Sequence, residues 1–93
     1  DCNGAPEIVF ADSHCYRNRN SNSNSDNNCR LGFTTGEHRG GFYATLDQCK
    51  QRCIDQTRTV RDRQRNGAPP GHECHGISWK LKENRTNNDT RIA

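Results

Sequence analysis

The residue types in this chain that could carry chemistry are histidines, cysteines and a run of arginines. The densest group is the segment 72–75, His-Glu-Cys-His, whose side chains are of the types that bind zinc. A structural zinc site needs four ligands, usually in paired short spacings, and nothing in the sequence places His14 or His38 beside this segment. We therefore interpret the histidines as solvent-exposed turn residues, and we predict no metal and no cofactor.

Cysteine is abundant for a chain of 93 residues, of which only 28% are apolar. A small polar chain cannot be held together by burial alone, so an even number of cysteines predicts three disulfides and an oxidising, extracellular setting. Thiols that are all paired leave no cysteine nucleophile, and no serine has a base and an orienting acid in a recognisable context. We predict a secreted non-enzyme whose disulfide residues are Cys2, Cys15, Cys29, Cys49, Cys53 and Cys74.

Several further features fit secretion. The sequence begins at Asp1 without an apolar leader, as a processed secretory protein would. Asn84 and Asn88 each begin an Asn-x-Thr sequon, which predicts a glycoprotein. No apolar run approaches transmembrane length, so we expect no membrane insertion. The net charge of +3 suits an acidic partner surface but does not require nucleic acid, and we expect a monomer that binds no nucleic acid.

Basic residues are concentrated in one segment, which contains Arg58, Arg61, Arg63 and Arg65. Arg58, Arg61 and Arg65 are spaced three and four apart, so on a helix they share a face. One interpretation is a solvated polar face with Asp55 and Asp62 as local partners. The other is a basic edge that binds an acidic protein patch or a sulfated glycan.

A single helix is predicted to position these arginines. Thr45 and Gln48 have the spacing of a capping box, so the helix should begin near Leu46. Asn66-Gly67 and the prolines that follow are a strong stop, which places the helix end at about Arg65. The residues expected on its buried stripe are Leu46, Cys49, Cys53, Ile54, Thr57 and Val60.

Three apolar segments predict short strands around this helix. Residues 7–11 indicate a strand or a buried extended segment, and residues 30–35 indicate a brief strand. Residues 77–81 alternate apolar and polar side chains, as a half-buried strand does. One helix with a few strands and three disulfides predicts a small disulfide-rich α+β fold.

Polar segments predict the rest of the organisation. The Asn/Ser-rich stretch 18–28 can bury little area, so we expect a flexible surface loop. Residues 36–41 are rich in turn-forming types, and Gly40-Gly41 would permit a tight turn. The last dozen residues are polar and should be frayed. We predict one domain over 1–83 and a polar tail over 84–93.

The stretch from Cys29 to Cys53 contains Phe33 with Gly36, then Tyr43-Ala-Thr-Leu-Asp-Gln-Cys, and ends on the second of two cysteines one helical turn apart. This pattern resembles the second half of a Kunitz-type (BPTI-like) inhibitor domain, with Tyr43 where the family usually has Phe. The resemblance covers about a quarter of the chain.

The resemblance implies the disulfides Cys2–Cys53 and Cys29–Cys49. The usual partner of the family's second cysteine is missing here, because Glu37 or His38 occupies its place. Cys15 is therefore expected to pair with the remaining thiol, Cys74. A Cys53–Cys74 bond would contradict this transfer of the family's pairing.

The family also implies a reactive loop. In a Kunitz inhibitor the residue after the second cysteine enters the protease pocket, and Tyr16, followed by Arg17, has that position here. The disulfide that holds the loop rigid in the family is absent, and rigidity is what makes such binding tight. We therefore expect the basic residues, rather than this loop, to carry the principal interaction.

A rewired Kunitz signature in a small basic secreted chain resembles the proteins of blood-feeding arthropod saliva and of venom. The size and charge also resemble the small salivary anticomplement proteins of sand flies. These resemblances imply a non-catalytic inhibitor of a host plasma protease cascade, either complement (for example its classical pathway) or coagulation, and we expect it to bind through the basic helix and adjacent loops. The alternatives are direct inhibition of a serine protease through Tyr16 or Arg17, a toxin-like ligand of an ion channel, and a heparin-binding or antimicrobial module.

Overall fold

A single long helix, α1 (Leu46–Arg65), is the central element of the computed structural model, which describes residues 8–12, 26–43, 45–82 and 87–93. The capping box is confirmed: Gln48 N donates to Thr45 Oγ1 at 3.2 Å, and Thr45 N donates to Gln48 Oε1 at 3.2 Å. These two bonds give partners to the backbone N–H groups of Thr45 and Gln48, which have no acceptor within the helix. The predicted helix start is therefore correct.

The predicted helix end is also correct. Asn66 is the C-cap, and Gly67 has a φ of 92°, a left-handed conformation that glycine adopts without a steric penalty. The helix runs without interruption past Thr57, so all four arginines of its second half are helical.

No helix in the described part of the chain is long and apolar enough to cross a membrane.

Four antiparallel strands form one sheet in the order β2-β1-β3-β4. The strands are β1 (Asn28–Phe33), β2 (Gly36–Phe42), β3 (Gly76–Lys80) and β4 (Asn87–Arg91). Helix and sheet together confirm the predicted α+β class, and β1 and β3 cover most of the two strands expected at 30–35 and 77–81.

The core lies between α1 and one face of the sheet. Leu31 and Cys29 of β1 pair with Ile77 and Trp79 of β3 in register, and all four are buried. The helix contributes its predicted stripe, although Leu46 is only half-buried, and it also buries two polar residues that the stripe did not include. The buried residues of the helix are Cys49, Lys50, Gln51, Cys53, Ile54, Thr57 and Val60.

The N-terminal apolar segment completes this core. Ile8 and Phe10 are buried, and Phe10 forms an isolated antiparallel bridge with Ile92. The burial predicted for residues 7–11 is confirmed for Ile8 and Phe10, whereas Val9 and Ala11 are exposed. Asp12 then contacts the helix through Lys50, whose Nζ lies 2.6 Å from Asp12 Oδ2.

The turn predicted over residues 36–41 is wrong, because this segment is strand β2. Its glycines have a different explanation. A Cβ on Gly40 would lie 3.1 Å from Cys29 Sγ and from Leu31 Cγ, so glycine lets β2 approach the disulfide and the core. The register shifts beside Gly40, between Cys29 and Arg30, and Gly41 has a φ of 119°. Gly40-Gly41 therefore forms a β-bulge rather than a chain reversal.

The frayed C-terminus predicted for the last dozen residues is also wrong. Within the predicted tail 84–93, residues 87–91 form β4 and pair with β3 along its whole length. Ala93 N then donates to Val9 O at 2.8 Å, which ties the end of the chain to the N-terminal segment. Pairing with other strands holds this segment in place, although its own side chains bury little.

Most of the predicted Asn/Ser-rich loop lies outside the described residues, but its last three residues are ordered by the sheet. Asn28 begins β1, and Asn27 O accepts from Tyr43 N at 3.0 Å. Asp26 Oδ2 pairs with Lys82 Nζ at 2.9 Å. The flexible loop predicted over 18–28 is therefore wrong for residues 26–28.

Two disulfides join the helix to the rest of the fold. The Cys29–Cys49 bond is confirmed. The second bond is Cys53–Cys74, so the predicted pairings Cys2–Cys53 and Cys15–Cys74 are both wrong. After Gly67 the chain turns back along the helix, and this return brings Cys74 to Cys53. Cys2 and Cys15 lie outside the described residues.

We expect Gly76→Ala to destabilise the fold much more than Gly32→Ala. The two glycines face each other between β3 and β1, but a Cβ at position 76 would lie only 2.8 Å from Thr90 O. The nearest atom to a Cβ at position 32 is 3.5 Å away, which is ordinary contact. We expect a loss of about 1–3 kcal/mol in urea unfolding for Gly76→Ala, because β4 must shift. Equal losses would contradict the described β3–β4 register.

Candidate functional site

The candidate site is the second half of α1, residues 58–65, called the basic segment below. It contains four arginines and one aspartate, and each of its residues except Val60 is exposed. The first half of the helix covers the sheet; Cys49 joins it to β1, and Cys53 joins it to Cys74, two residues before β3. A charged helix end that is exposed on nearly all sides can meet a partner without unfolding.

The returning loop, residues 68–75, supports the base of the basic segment. Thr57 Oγ1 donates to Cys74 O at 3.1 Å and accepts from Cys74 N at 3.0 Å, and all three atoms are buried. Gln56 Nε2 donates to His72 O at 3.2 Å. These contacts fix where the helix leaves the body of the fold.

A close approach between glycine and valine continues this support. A Cβ at Gly71 would lie 3.0 Å from Val60 Cγ1, so the loop backbone packs directly on the only buried residue of the basic segment. Glycine is the residue that allows this contact. The loop therefore reaches the first turn of the basic segment.

Only part of the positive charge is balanced by neighbouring carboxylates. Arg61 Nη2 lies 3.2 Å from Glu73 Oε1, and Arg65 Nη1 lies 3.5 Å from Asp62 Oδ1. Both pairs are exposed, and exposed pairs contribute at most about 1 kcal/mol, so either arginine can exchange its partner for another anion. Arg58 and Arg63 have no ion pair with the described residues.

Three of the four arginines share one face of α1, as predicted, but only one of the two expected carboxylate partners is paired with them. Arg58, Arg61 and Arg65 are at positions i, i+3 and i+7 of an uninterrupted helix, so they share a face, whereas Arg63 lies on another. Of the two expected carboxylate partners, Asp62 pairs with Arg65, but Asp55 accepts instead from Gln51 Nε2 at 2.7 Å. Sequence reasoning missed Glu73, which is distant in sequence and is brought in by the returning loop.

Several predicted site residues lie apart from the basic segment or outside the described residues. Tyr16, Arg17 and Asn84 lie outside them, so the reactive loop and the first sequon remain predictions. Asn88 is exposed on β4, pairs in register with Trp79, and remains a predicted glycosylation site.

The histidines of the described chain do not form a metal site. His72 and His75 are exposed, and Cys74 between them is oxidised in a disulfide. His75 Nε2 lies 3.4 Å from Thr34 Oγ1, and the ring of His38 packs 4.9 Å from that of Phe33. Among the described residues, no group of three or more His, Cys, Asp or Glu could hold a metal ion.

An open hollow of about 380 Å³ lies over one end of the sheet, and residues of all four strands and His75 of the returning loop line it. Its lining includes Ser78, His75 and Asp89, which are residue types used in nucleophilic catalysis. No hydrogen bond joins these three side chains to one another in the described structure. The hollow therefore contains no assembled pair of nucleophile and base.

Sequence reasoning also missed a second group of cations, on the face of the sheet opposite the helix. Arg30, Arg39 and Lys80 are exposed there and belong to three neighbouring strands. Arg30 and Arg39 are 9 residues apart in sequence, Arg39 and Lys80 are 41 apart, and only the strand register brings the three together.

Comparisons with protein-family models, curated proteins and solved structures found no match to this chain.

Proposed function

We propose that this chain is a secreted, non-catalytic inhibitor that binds a component of a host plasma protease cascade, complement or coagulation, through the basic segment. The observation that supports the proposal is the exposed helix end, where Arg58 and Arg63 have no ion pair with any described residue and Arg61 and Arg65 are in weak exposed pairs. Such a surface attracts an acidic protein patch, increases the association rate, and binds less well as ionic strength rises.

The choice of an extracellular target rests on chemistry and on the resemblance. The two disulfides of the described chain are compatible with an oxidising compartment. The resemblance to Kunitz-type proteins of blood-feeding arthropods suggests a plasma cascade as the target. Of the pairings that the resemblance implied, Cys29–Cys49 is present, whereas the Cys53–Cys74 bond contradicts the transfer of the others.

We expect the triple variant with Arg58, Arg61 and Arg65 changed to Ala to lose at least about tenfold in inhibitory potency, because the shared face supplies most of the charge that meets the partner. Complement lysis and plasma clotting times measure this effect. Arg63→Ala removes one cation from another face of the same segment, and we expect a smaller loss of about twofold to threefold.

The outcomes distinguish an error in the proposed target from an error in the proposed binding surface. If neither cascade responds to the unchanged protein, the proposed function fails. If a cascade is inhibited and the triple variant inhibits equally well, the assignment to the basic segment is wrong. A smaller effect of the triple variant at high salt than at low salt is also expected, because salt screens exposed charges.

A further inference from the structure

The outer face of the sheet, opposite α1, has a basic cluster formed by Arg39 of β2, Arg30 of β1 and Lys80 of β3. The register places Arg30 directly opposite Arg39 on one side and Ser78 on the other. Cys29, the neighbour of Arg30, points to the helix through its disulfide, so Arg30 points away from it. Lys80 is two residues beyond Ser78 and has the same orientation.

The spacing of these cations follows from sheet geometry. Side chains directly opposite on neighbouring strands have Cβ atoms about 5 Å apart, and diagonal neighbours are about 7–8 Å apart. Arg30 is therefore about 5 Å from Arg39 and about 7–8 Å from Lys80, measured at the Cβ atoms. The three cations therefore lie on three neighbouring strands, with Lys80 two residues along β3 from the row that contains Arg39, Arg30 and Ser78.

Two carboxylates share this face, because Glu37 lies opposite Gly32 and Asp89 lies opposite Ser78 in the register. None of the four ion pairs between described residues involves Arg30, Arg39 or Lys80, so neither carboxylate is paired with the cluster. Like charges directly opposite each other destabilise a sheet, so the Arg30–Arg39 pair opposes folding unless an anion is bound. An anion that lies across both guanidinium groups removes this repulsion, and folding and anion binding are therefore coupled.

One cation of the cluster is already held in place. The Arg39 guanidinium lies over the Phe42 ring, with its carbon 4.6 Å from the ring centroid. Cation–π contact restricts the side chain and leaves the edge of the guanidinium available for hydrogen bonds. Binding an anion there requires little additional ordering of Arg39.

The composition of this face favours a linear polyanion over a folded protein. The next row of the register contains Glu37, Gly32, Gly76 and Arg91, and Phe42 is the only large apolar side chain beside the cluster among the described residues. Stable protein interfaces have an apolar core, which this face lacks. Closely spaced cations on a rigid surface instead match repeated anionic groups along a chain.

We propose that the outer face binds a sulfated glycan chain, with Arg30, Arg39 and Lys80 contacting successive anionic groups. The disulfides indicate an oxidising, extracellular setting, and sulfated glycans are the polyanions characteristic of that setting. The two guanidinium groups present paired N–H donors to the oxygens of a tetrahedral anion, and Lys80 adds a point charge. This site lies across the sheet from the basic segment, so the two surfaces can be occupied together.

The test measures binding of a size-defined heparin oligosaccharide at several salt concentrations, by titration calorimetry. We expect the triple variant Arg30→Gln, Arg39→Gln and Lys80→Gln to bind at least about tenfold more weakly. We also expect the slope of log Kd against log salt to fall by about 2–3, because three cations no longer displace counterions.

The matched control is the triple variant Arg58→Gln, Arg61→Gln and Arg65→Gln, which removes the same charge from the basic segment. We expect it to weaken heparin binding by less than about threefold. If it weakens binding as much as the outer-face variant does, binding depends on net charge alone and the proposal is overturned. Equal affinity for poly-glutamate of matched charge also overturns it, because the site would then not distinguish sulfated glycan from acidic protein.

A folding control keeps the test decisive. Removing like charges from Arg30 and Arg39 should not destabilise the sheet, which circular dichroism during urea unfolding would verify. If the triple variant nevertheless fails to fold, the single variant Lys80→Gln is used, since this exposed residue ends β3. A loss of about twofold or more supports the proposal, and no loss overturns it.

Discussion

Asp12→Asn is expected to lower the free energy of unfolding by about 3 kcal/mol, although Asp12 lies at the surface end of the N-terminal segment. The reason is its partner. Lys50 is 1% exposed, its Nζ lies 2.6 Å from Asp12 Oδ2, and the Phe10 ring is 5.5 Å away. Without the carboxylate, a buried ammonium group faces an aromatic ring and a neutral amide. This uncompensated charge is what destabilises the variant.

Substitution of the other partner, Lys50, should lower the free energy of unfolding much less. Lys50→Met keeps most of the side-chain volume and removes the buried charge, while Asp12, whose side chain is 28% exposed, remains partly hydrated. We expect a loss of about 1 kcal/mol or less for Lys50→Met. The double variant should resemble Lys50→Met, because Asn at position 12 then has no charge to neutralise. Urea unfolding of all three variants measures these differences, and a larger loss for Lys50→Met than for Asp12→Asn would contradict the explanation.

Removal of the Cys53–Cys74 bond by changing both residues to Ala is expected to lower the free energy of unfolding by about 3 kcal/mol. The sequence separation of 21 residues closes a loop whose entropy in the unfolded chain accounts for a loss of this size. A chain of this length has a total stability of only about 5–14 kcal/mol, so the variant should be markedly less stable to urea.

Removal of the Cys29–Cys49 bond is the matched control, because its separation of 20 residues closes a loop of nearly equal size. Loss of stability should be similar, but the local consequence should differ. Without Cys53–Cys74, the amide of Cys74, bonded to Thr57, and that of His75, bonded to Gly32, should exchange hydrogen faster than in the control. A Cys15–Cys74 link found by peptide mapping of the oxidised protein would contradict both this hydrogen-exchange prediction and the described Cys53–Cys74 bond.

The helix could be predicted from sequence because its signals are local. Thr45 and Gln48 specify where it begins, and Asn66 and Gly67 specify where it ends, all within a turn of the boundaries concerned. The strands β1 and β3 were also foreseeable, because Leu31, Ile77 and Trp79 fill the core and their apolar character shows in the sequence.

The edge strands could not be predicted in the same way. β2 contains three glycines, and the one that suggested a turn, Gly40, is there because Cys29 Sγ and Leu31 leave no room for a side chain. In β4 only Thr90 is buried among the residues whose side chains are described. Both strands exist because a neighbouring strand offers backbone partners, and that information lies elsewhere in the chain.

The disulfide pairing failed for a related reason. The resemblance implied the bond from Cys49 to Cys29, which is present, but the partner of Cys53 depends on where the chain returns after the helix. Thr57 and Gly71 determine that return, through a hydrogen bond and a close approach to Val60. The positions of the arginines were predicted correctly, whereas the pairing of Arg61 with Glu73 and the cluster around Arg30 depend on tertiary contacts.

Both helix disulfides are attached in its first half, at Cys49 and Cys53, while the five helical residues after Val60 are all exposed. The part of the helix that folding requires is therefore physically separate from the part exposed to other molecules. Substitutions after Val60 can alter recognition with little penalty in folding, provided that helix formers are retained. The scaffold is consequently suited to grafting, in which a foreign epitope of about one and a half turns replaces residues 61–65 while Asn66 and Gly67 still end the helix.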